Sequence, residues 1–146
     1  MDWAYISGFF DADGSLTLIK KNQRVYPSVN FHNTSLKTIN TLRDFIFSSV
    51  DILGYIATYI PKNTNHEIQH TLRYTYYKSA IPVLDQMQII HPKKKHRKEI
   101  VYSLNSARVF KKPKKYKKLA EEFFNTPIEG DEVSDYIKSL TNGTSN

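Results

Sequence analysis

Residues Ile6 to Gly14 read I-S-G-F-F-D-A-D-G, an apolar stretch built on small residues that ends in two carboxylates and a glycine. From Trp3 to Ala12 the apolar side chains recur at helical spacing, with Trp3, Ile6, Phe9 and Phe10 on one broad face. Ala4, Gly8 and Ala12 fall on a common stripe. Side chains this small at i, i+4 and i+8 let a second helix approach to backbone contact. Gly14 is placed to end the helix as a left-handed cap residue, which puts Asp11 and Asp13 in the last turn. The end of a helix carries partial negative charge, so two carboxylates there call for a compensating cation. One Asp is no metal cage, but Mg²⁺ needs only one or two carboxylates together with waters and substrate phosphates. Taken alone, D-A-D-G also suits a helix that ends in solvent, a turn or a calcium loop.

Charge points to a polyanionic partner by a separate route. Lys and Arg number 21 against 14 Asp and Glu, a net +7 with a pI near 9.5, and such a balance favours a polyanion through counterion release. The excess is uneven. Residues 1–118 hold 20 basic and 8 acidic side chains, a net of +12, whereas residues 119–146 hold 1 and 6, a net of −5. The first part is the expected contact surface; Glu121, Glu122, Glu129, Asp131, Glu132 and Asp135 should face away from phosphate. With 146 residues, 40% of them hydrophobic, a globular domain with a real core is expected over residues 1–140, followed by a frayed tail over 141–146. Cysteine is absent, which removes disulfide and thiolate chemistry and fits a reducing interior. No signal peptide, transit peptide or spanning apolar run is visible. The expectation is an intracellular protein, in a prokaryotic cytoplasm or an organelle matrix, not secreted, with no membrane partner and no organic cofactor. Only His66 and His70 stand at H-x₃-H spacing, in a segment read as turn and strand rather than helix, and with no cysteine present no zinc site is expected.

After Gly14 the pattern changes to period two. Ser15–Lys21 and Val25–Thr34 read as strands joined by Asn22, Gln23 and Arg24. On the second, Val29 and Phe31 alternate with Ser28, Asn30 and His32; on the first, Thr17, Ile19, Lys21 and Gln23 make the matching row, with Ile19 the apolar exception. Ser35 caps a helix running to about Ser48, with Leu36, Ile39, Leu42, Phe45 and Ile46 inward. Another strand pair runs from about Gly54 to Ile60 and from Glu67 to Tyr77, around Asn63-Thr64-Asn65. There Gln69, Thr71, Arg73 and Thr75 share a face opposite Ile68, Leu72, Tyr74 and Tyr76, and Tyr55, Ala57 and Tyr59 extend it. Ala80 to Met87 begins a third helix, and Glu99 to Ala107 resumes helical spacing after a break at Pro92. The class is α+β. A solvated outer face is ordinary for such a sheet, but these rows carry donors and acceptors and almost no Asp or Glu. They suit base edges, and a β-ribbon fits the major groove.

The segment Ile6–Gly14 resembles the L-A-G-L-I-D-A-D-G signature of the homing endonucleases of that name. Gly8, Asp11, Ala12, Asp13 and Gly14 match outright, and Ile6, Ser7, Phe9 and Phe10 stand at the tolerant positions. Trp3, Tyr5 and the run that starts at Ser15 also look like the family, and only one copy is present. The resemblance implies an αββαββα half with a curved four-stranded antiparallel DNA-binding sheet, followed by C-terminal helices. It implies a homodimer packed along Ala4, Gly8, Asp11 and Ala12, hence a near-palindromic target in double-stranded DNA. It further implies intron-encoded, site-specific double-strand cleavage across the minor groove, leaving short 3′ overhangs. Mg²⁺ held by Asp13 and the carbonyl of Ala12 would serve an in-line displacement, while Asp11 settles the helix end. Thr17, Ile19, Lys21, Gln23, Ser28, Asn30, His32, Tyr55, Tyr59, Gln69, Thr71, Arg73 and Thr75 are the expected DNA contacts on the sheet.

Two lysine clusters remain. Lys93, Lys94, Lys95, His96, Arg97 and Lys98 stand between one helix and the next, where most are solvated charge or phosphate contacts, Lys94 and Arg97 among the latter. The resemblance puts a lysine near the scissile phosphate just before the late helix. Lys95 matches best, with Lys94 one register away, and its role would be to stabilise charge on the phosphorane or order the attacking water. Lys111, Lys112, Lys114, Lys115, Lys117 and Lys118 look like phosphate-positioning charge or a solvated helix end. The family's water-orienting position after the second strand falls on Ser35, with Asn33 as the fallback. His32 is a DNA reader; His66 and His70 are surface or core fillers. The competing reading is a noncatalytic binder on the same scaffold, an intron-splicing maturase binding intron RNA or a transcription regulator. Asp13 argues against it, because a binder has no need of a carboxylate facing phosphate. A basic structural protein without sequence preference is the third.

Overall fold

Helix α1 spans Trp3–Asp13 in the computed structural model, which describes residues 1–63 and 65–125. Its first turn is closed by the Asp2 carboxylate, which accepts from the Tyr5 N–H at 2.8 Å and so satisfies one of the donors a helix start leaves open. Gly14 ends the helix differently from the expected left-handed cap. It is extended, with φ −85° and ψ 170°, and its N–H donates to the Phe10 carbonyl at 2.9 Å. The glycine is required by space: a Cβ there would stand 2.4 Å from Phe10 Cδ2 and 2.9 Å from Phe10 Cα. Gly14→Ala is therefore expected to lower stability by about 1–3 kcal/mol through overpacking. Urea denaturation checks this, and an unchanged midpoint would mean that the helix end yields freely.

The extended Gly14 lets strand β1 (Ser15–Lys21) begin at once. Asn22 and Gln23 follow with φ of 51° and 63°, a two-residue turn of the kind that suits the twist of a hairpin, and β2 (Arg24–Asn33) returns. Gln23 thus sits in the turn and not in the expected strand row. Helix α2 (Leu36–Val50) is capped by Ser35, whose Oγ accepts from the Thr38 N–H at 3.2 Å. Strands β3 (Tyr55–Tyr59) and β4 (Gln69–Thr75) complete an antiparallel sheet of order β1-β2-β4-β3. Helix α3 (Tyr77–Gln86) starts three residues before the expected Ala80, because Tyr76 leaves strand geometry altogether, with φ 74° and ψ 154°.

Three helices cover one face of this sheet. Ile6 and Phe10 of α1, Ile39, Leu42 and Ile46 of α2, and Ala80, Val83 and Leu84 of α3 are buried together with Leu16, Val29, Phe31, Leu72 and Tyr74 of the strands. Phe31 is the hub, its ring 5.7 Å from Phe10, 6.2 Å from Phe9 and 6.3 Å from Tyr74. The Tyr74 hydroxyl and Arg43 Nε are buried without a hydrogen-bond partner. Burial pushes the Tyr74 phenol above its ordinary range, opposed by the Arg43 charge, so it stays neutral at physiological pH.

Residues Met1–His91 make one compact unit, and a second begins at Pro92. In the second, α4 (Pro92–Val109) and α5 (Pro113–Phe124) pack on each other. Pro92 starts α4 and does not interrupt it, because proline is favoured where the N–H would be unsatisfied anyway. The first lysine cluster is consequently helical. The segment 141–146 and Glu129, Asp131, Glu132 and Asp135 lie outside the described residues. No described helix is long and apolar enough to cross a membrane.

Candidate nucleic-acid interface

The two carboxylates at the end of α1 have separate environments. Asp11 Oδ2 accepts from the Ile90 N–H at 2.9 Å and Oδ1 from the His91 N–H at 3.4 Å. One turn earlier, Ser7 Oγ donates to the Trp3 carbonyl at 2.7 Å and accepts from the Gln88 N–H at 3.0 Å. Ser7 and Asp11 thus strap α1 to the segment after α3, and backbone donors serve Asp11 where a cation was expected. Asp13 is exposed, beside last-turn carbonyls, that of Ala12 among them, which a helix end leaves without intrahelical partners. Among the described residues no group of three or more His, Asp or Glu side chains could hold a metal. One carboxylate and one carbonyl still fit Mg²⁺, which keeps waters and takes its remaining ligands from phosphate. Ala4, Gly8 and Ala12 are all exposed, and a Cβ at Gly8 would meet nothing within 4 Å.

The uncovered face of the sheet follows directly from this tip. Its register aligns Ser15, Asn30, Arg73 and Tyr55 across all four strands, Thr17, Ser28 and Thr75 in the next row, and His32, Thr71 and Ala57 on the other side. The face carries no Asp or Glu. Its centre is bonded to itself. Ser28 Oγ donates to Asn30 Oδ1 at 2.8 Å, and Asn30 Nδ2 donates to Ser15 Oγ at 3.1 Å and Thr17 Oγ1 at 3.2 Å. His32 meets Thr71 Oγ1 at 2.9 Å and Ser15 Oγ at 3.3 Å. Ser28 and Asn30, both expected DNA contacts, are only 2% and 6% exposed, with their polar groups bonded to neighbours on the same face. Lys21, Arg24, Gln69, Arg73, Ile19, Tyr55 and Tyr59 are exposed on this face, with Thr17, Thr71 and Thr75 half-buried.

Helical register sorts the first lysine cluster. Lys94 and Arg97 continue the inward stripe of Ile100, Val101 and Leu104 and are 6% and 7% exposed. Both were expected DNA contacts, and both are buried in the chain without DNA. The Arg97 guanidinium lies 4.7 Å from the centre of the Phe123 ring, a cation–π contact. Lys95 points outward and is exposed, as is Lys112, the residue that precedes α5. His96 Nε2 stands 3.3 Å from Glu122 Oε1. At the end of β2, Asn33 Oδ1 accepts from the Ser35 N–H at 2.8 Å. Ser35 Oγ accepts a helix donor while keeping its own O–H for another acceptor.

A model of the LAGLIDADG-like domain matches residues 1–113. The chain belongs to the LAGLIDADG-like family. Its fold is also that of solved family structures. A LAGLIDADG meganuclease, I-AabMI, bound to uncleaved DNA matches with a TM-score of 0.56 at 15% identity, over 86% of this chain and 42% of that one. A LAGLIDADG homing endonuclease, I-GzeII, in complex with its DNA target matches with a TM-score of 0.55 at 18% identity, over 90% of this chain and 47% of that one. This LAGLIDADG chain thus spans less than half the length of either. Among proteins of curated function, none matches it. Two further residues lie on its sheet face: Tyr26, and Tyr76, which strand alternation alone puts on the helix side.

Proposed function

We propose that this chain is an intron-encoded, site-specific DNA endonuclease that acts as a homodimer on a near-palindromic duplex, breaking both strands with short 3′ overhangs in the presence of Mg²⁺. The observation that carries this reading is the adjacency of an exposed carboxylate, Asp13, to a sheet face rich in donors and acceptors and free of acid. Duplex laid on that face meets Arg73, whose fork matches the guanine major-groove edge, and the exposed cations Lys21 and Arg24. The exposed stripe Ala4, Gly8 and Ala12 supports close packing of two copies of α1.

Asp13 and the Ala12 carbonyl would hold Mg²⁺, which when bound supplies an activated water and charge stabilisation for the leaving oxygen. Asp11 and Ser7 act through position, keeping the tip of α1 fixed against its own unit. The Ser35 hydroxyl, seconded by Asn33, orients water, and Lys95 offers positive charge to the phosphate under attack. Lys95→Ala is expected to slow cleavage by about a hundredfold or more with binding little changed. Lys112→Ala is expected to weaken binding a few-fold and reduce its salt slope by about one counterion. Equal effects of the two changes on cleavage would reduce Lys95 to ordinary phosphate charge. The reading as a whole is tested by capturing bound duplexes from a random library in EDTA and then adding Mg²⁺. Breaks in the captured duplexes are expected, and stable binding with no breaks would leave only a binder.

A further inference from the structure

Toward the β1–β2 turn, three side chains make a patch unlike the rest of the sheet face. Ile19 on β1 stands opposite Tyr26 on β2 and is 43% exposed. The Tyr76 ring meets Tyr26 edge-on, with centroids 4.9 Å apart, and is 49% exposed. Strand alternation would have sent Tyr76 to the helix side, after Thr75 on the open side. Its φ of 74° and ψ of 154° reverse that direction. This region of backbone space is nearly restricted to glycine, so a bulky residue held there is strained.

The strain is imposed from both sides of the residue. The Tyr76 N–H donates to the Pro27 carbonyl at 2.9 Å, and its carbonyl accepts from Ala80 N–H at 2.8 Å. Tyr77 underneath is buried, its hydroxyl donating to the Val25 carbonyl at 3.0 Å. A glycine at position 76 would make the same backbone bonds without strain. What the tyrosine adds is an exposed ring on the sheet face, and nothing in the hydrophobic core requires it.

We infer that Ile19, Tyr26 and Tyr76 form an apolar subsite for thymine methyl groups in the major groove of the bound duplex, an inference that rests on the proposed DNA reading. The choice follows from chemistry. An aliphatic chain beside tilted ring edges offers apolar contact, which in the major groove is matched by the thymine C5-methyl. The two rings pair with each other edge to face, so neither lies parallel beside the other as a stacked platform. The patch is continuous with the hydrogen-bonding rows and flanked by the exposed cations Lys21 and Arg24. Ile19 lies four residues along β1 from Ser15, about 13 Å at ~3.3 Å per residue. The thymines should therefore fall about four base-pair steps farther from the break than those facing Ser15.

The test begins with duplexes that the wild-type chain enriches from a random-sequence library in EDTA. Binding is then compared between the enriched duplex and the same duplex with deoxyuridine at its outer thymines, which removes only the methyl. Wild type and Tyr76→Phe should bind the deoxyuridine duplex about fourfold more weakly per methyl, the worth of one buried methyl group. Tyr76→Gly should lose that discrimination and keep or raise its melting temperature; Tyr26→Ala should lose it likewise. A consensus without outer thymines, or equal binding of the two duplexes by wild type, overturns the subsite alone. No enrichment of any duplex overturns the DNA reading and the subsite with it.

Discussion

Asp13→Asn should abolish Mg²⁺-dependent cutting, with a loss of about a thousandfold or more, and leave duplex affinity largely intact. The change keeps size and shape and removes the one charge that hard-cation binding needs. Its effect on folding should have the opposite sign. A carboxylate at the C-terminal end of α1 opposes the helix dipole, so neutralising it is expected to stabilise by about 0.3–1 kcal/mol at an exposed site. A variant that is folded, at least as stable, bound to duplex and inert isolates the metal-binding role. Asp11→Asn provides the contrast, because Asp11 accepts from Ile90 and His91. Its amide oxygen can accept only part of that pair, and the loss should appear in stability as well as in cutting. A cleaving Asp13→Asn chain would end the assignment of Asp13 as a metal ligand.

Gly8→Leu should separate folding from assembly. Space for a side chain is open at Gly8 within one chain, and replacing glycine inside a helix by leucine favours the helix by roughly 1 kcal/mol. The isolated chain should therefore be as stable as wild type or more so. A leucine on the stripe between Ala4 and Ala12 forbids backbone approach of a second α1, so the variant should sediment as a monomer at concentrations where wild type is a dimer, and lose double-strand cutting. A wild-type chain that is monomeric yet cuts both strands would refute the two-subunit reading.

What the sequence made legible was local. The period of α1, the alternation in β1, β2 and β4, and the Ser35 cap depend on neighbours a few residues away, and each stands in the structure. The family signature adds the tip of α1, since its small residues and acids have fixed spacing. Errors came where tertiary context decides. Gly14 reads as a left-handed cap because helices commonly end that way, but the Phe10 ring decides it by space. Pro92 reads as a break, although proline also begins helices, and the misplaced boundary turned Lys94 and Arg97 outward when the continued register turns them in. Asn30 reads as an open polar side chain, and only its neighbours Ser15, Thr17 and Ser28, two of them across strands, show its amide engaged. Tyr76 carries no local sign of its positive φ, because a bulky side chain there is the exception to every propensity.

On the proposed reading two copies of one acidic tip act on opposite strands of the duplex. This is tested most directly by end-labelling each strand of a captured duplex and mapping the breaks made by the wild-type chain in Mg²⁺. One break per strand is expected, the two related by the twofold axis of the bound sequence and offset to leave short 3′ ends. Cutting confined to one strand, or breaks that no common axis relates, would contradict it.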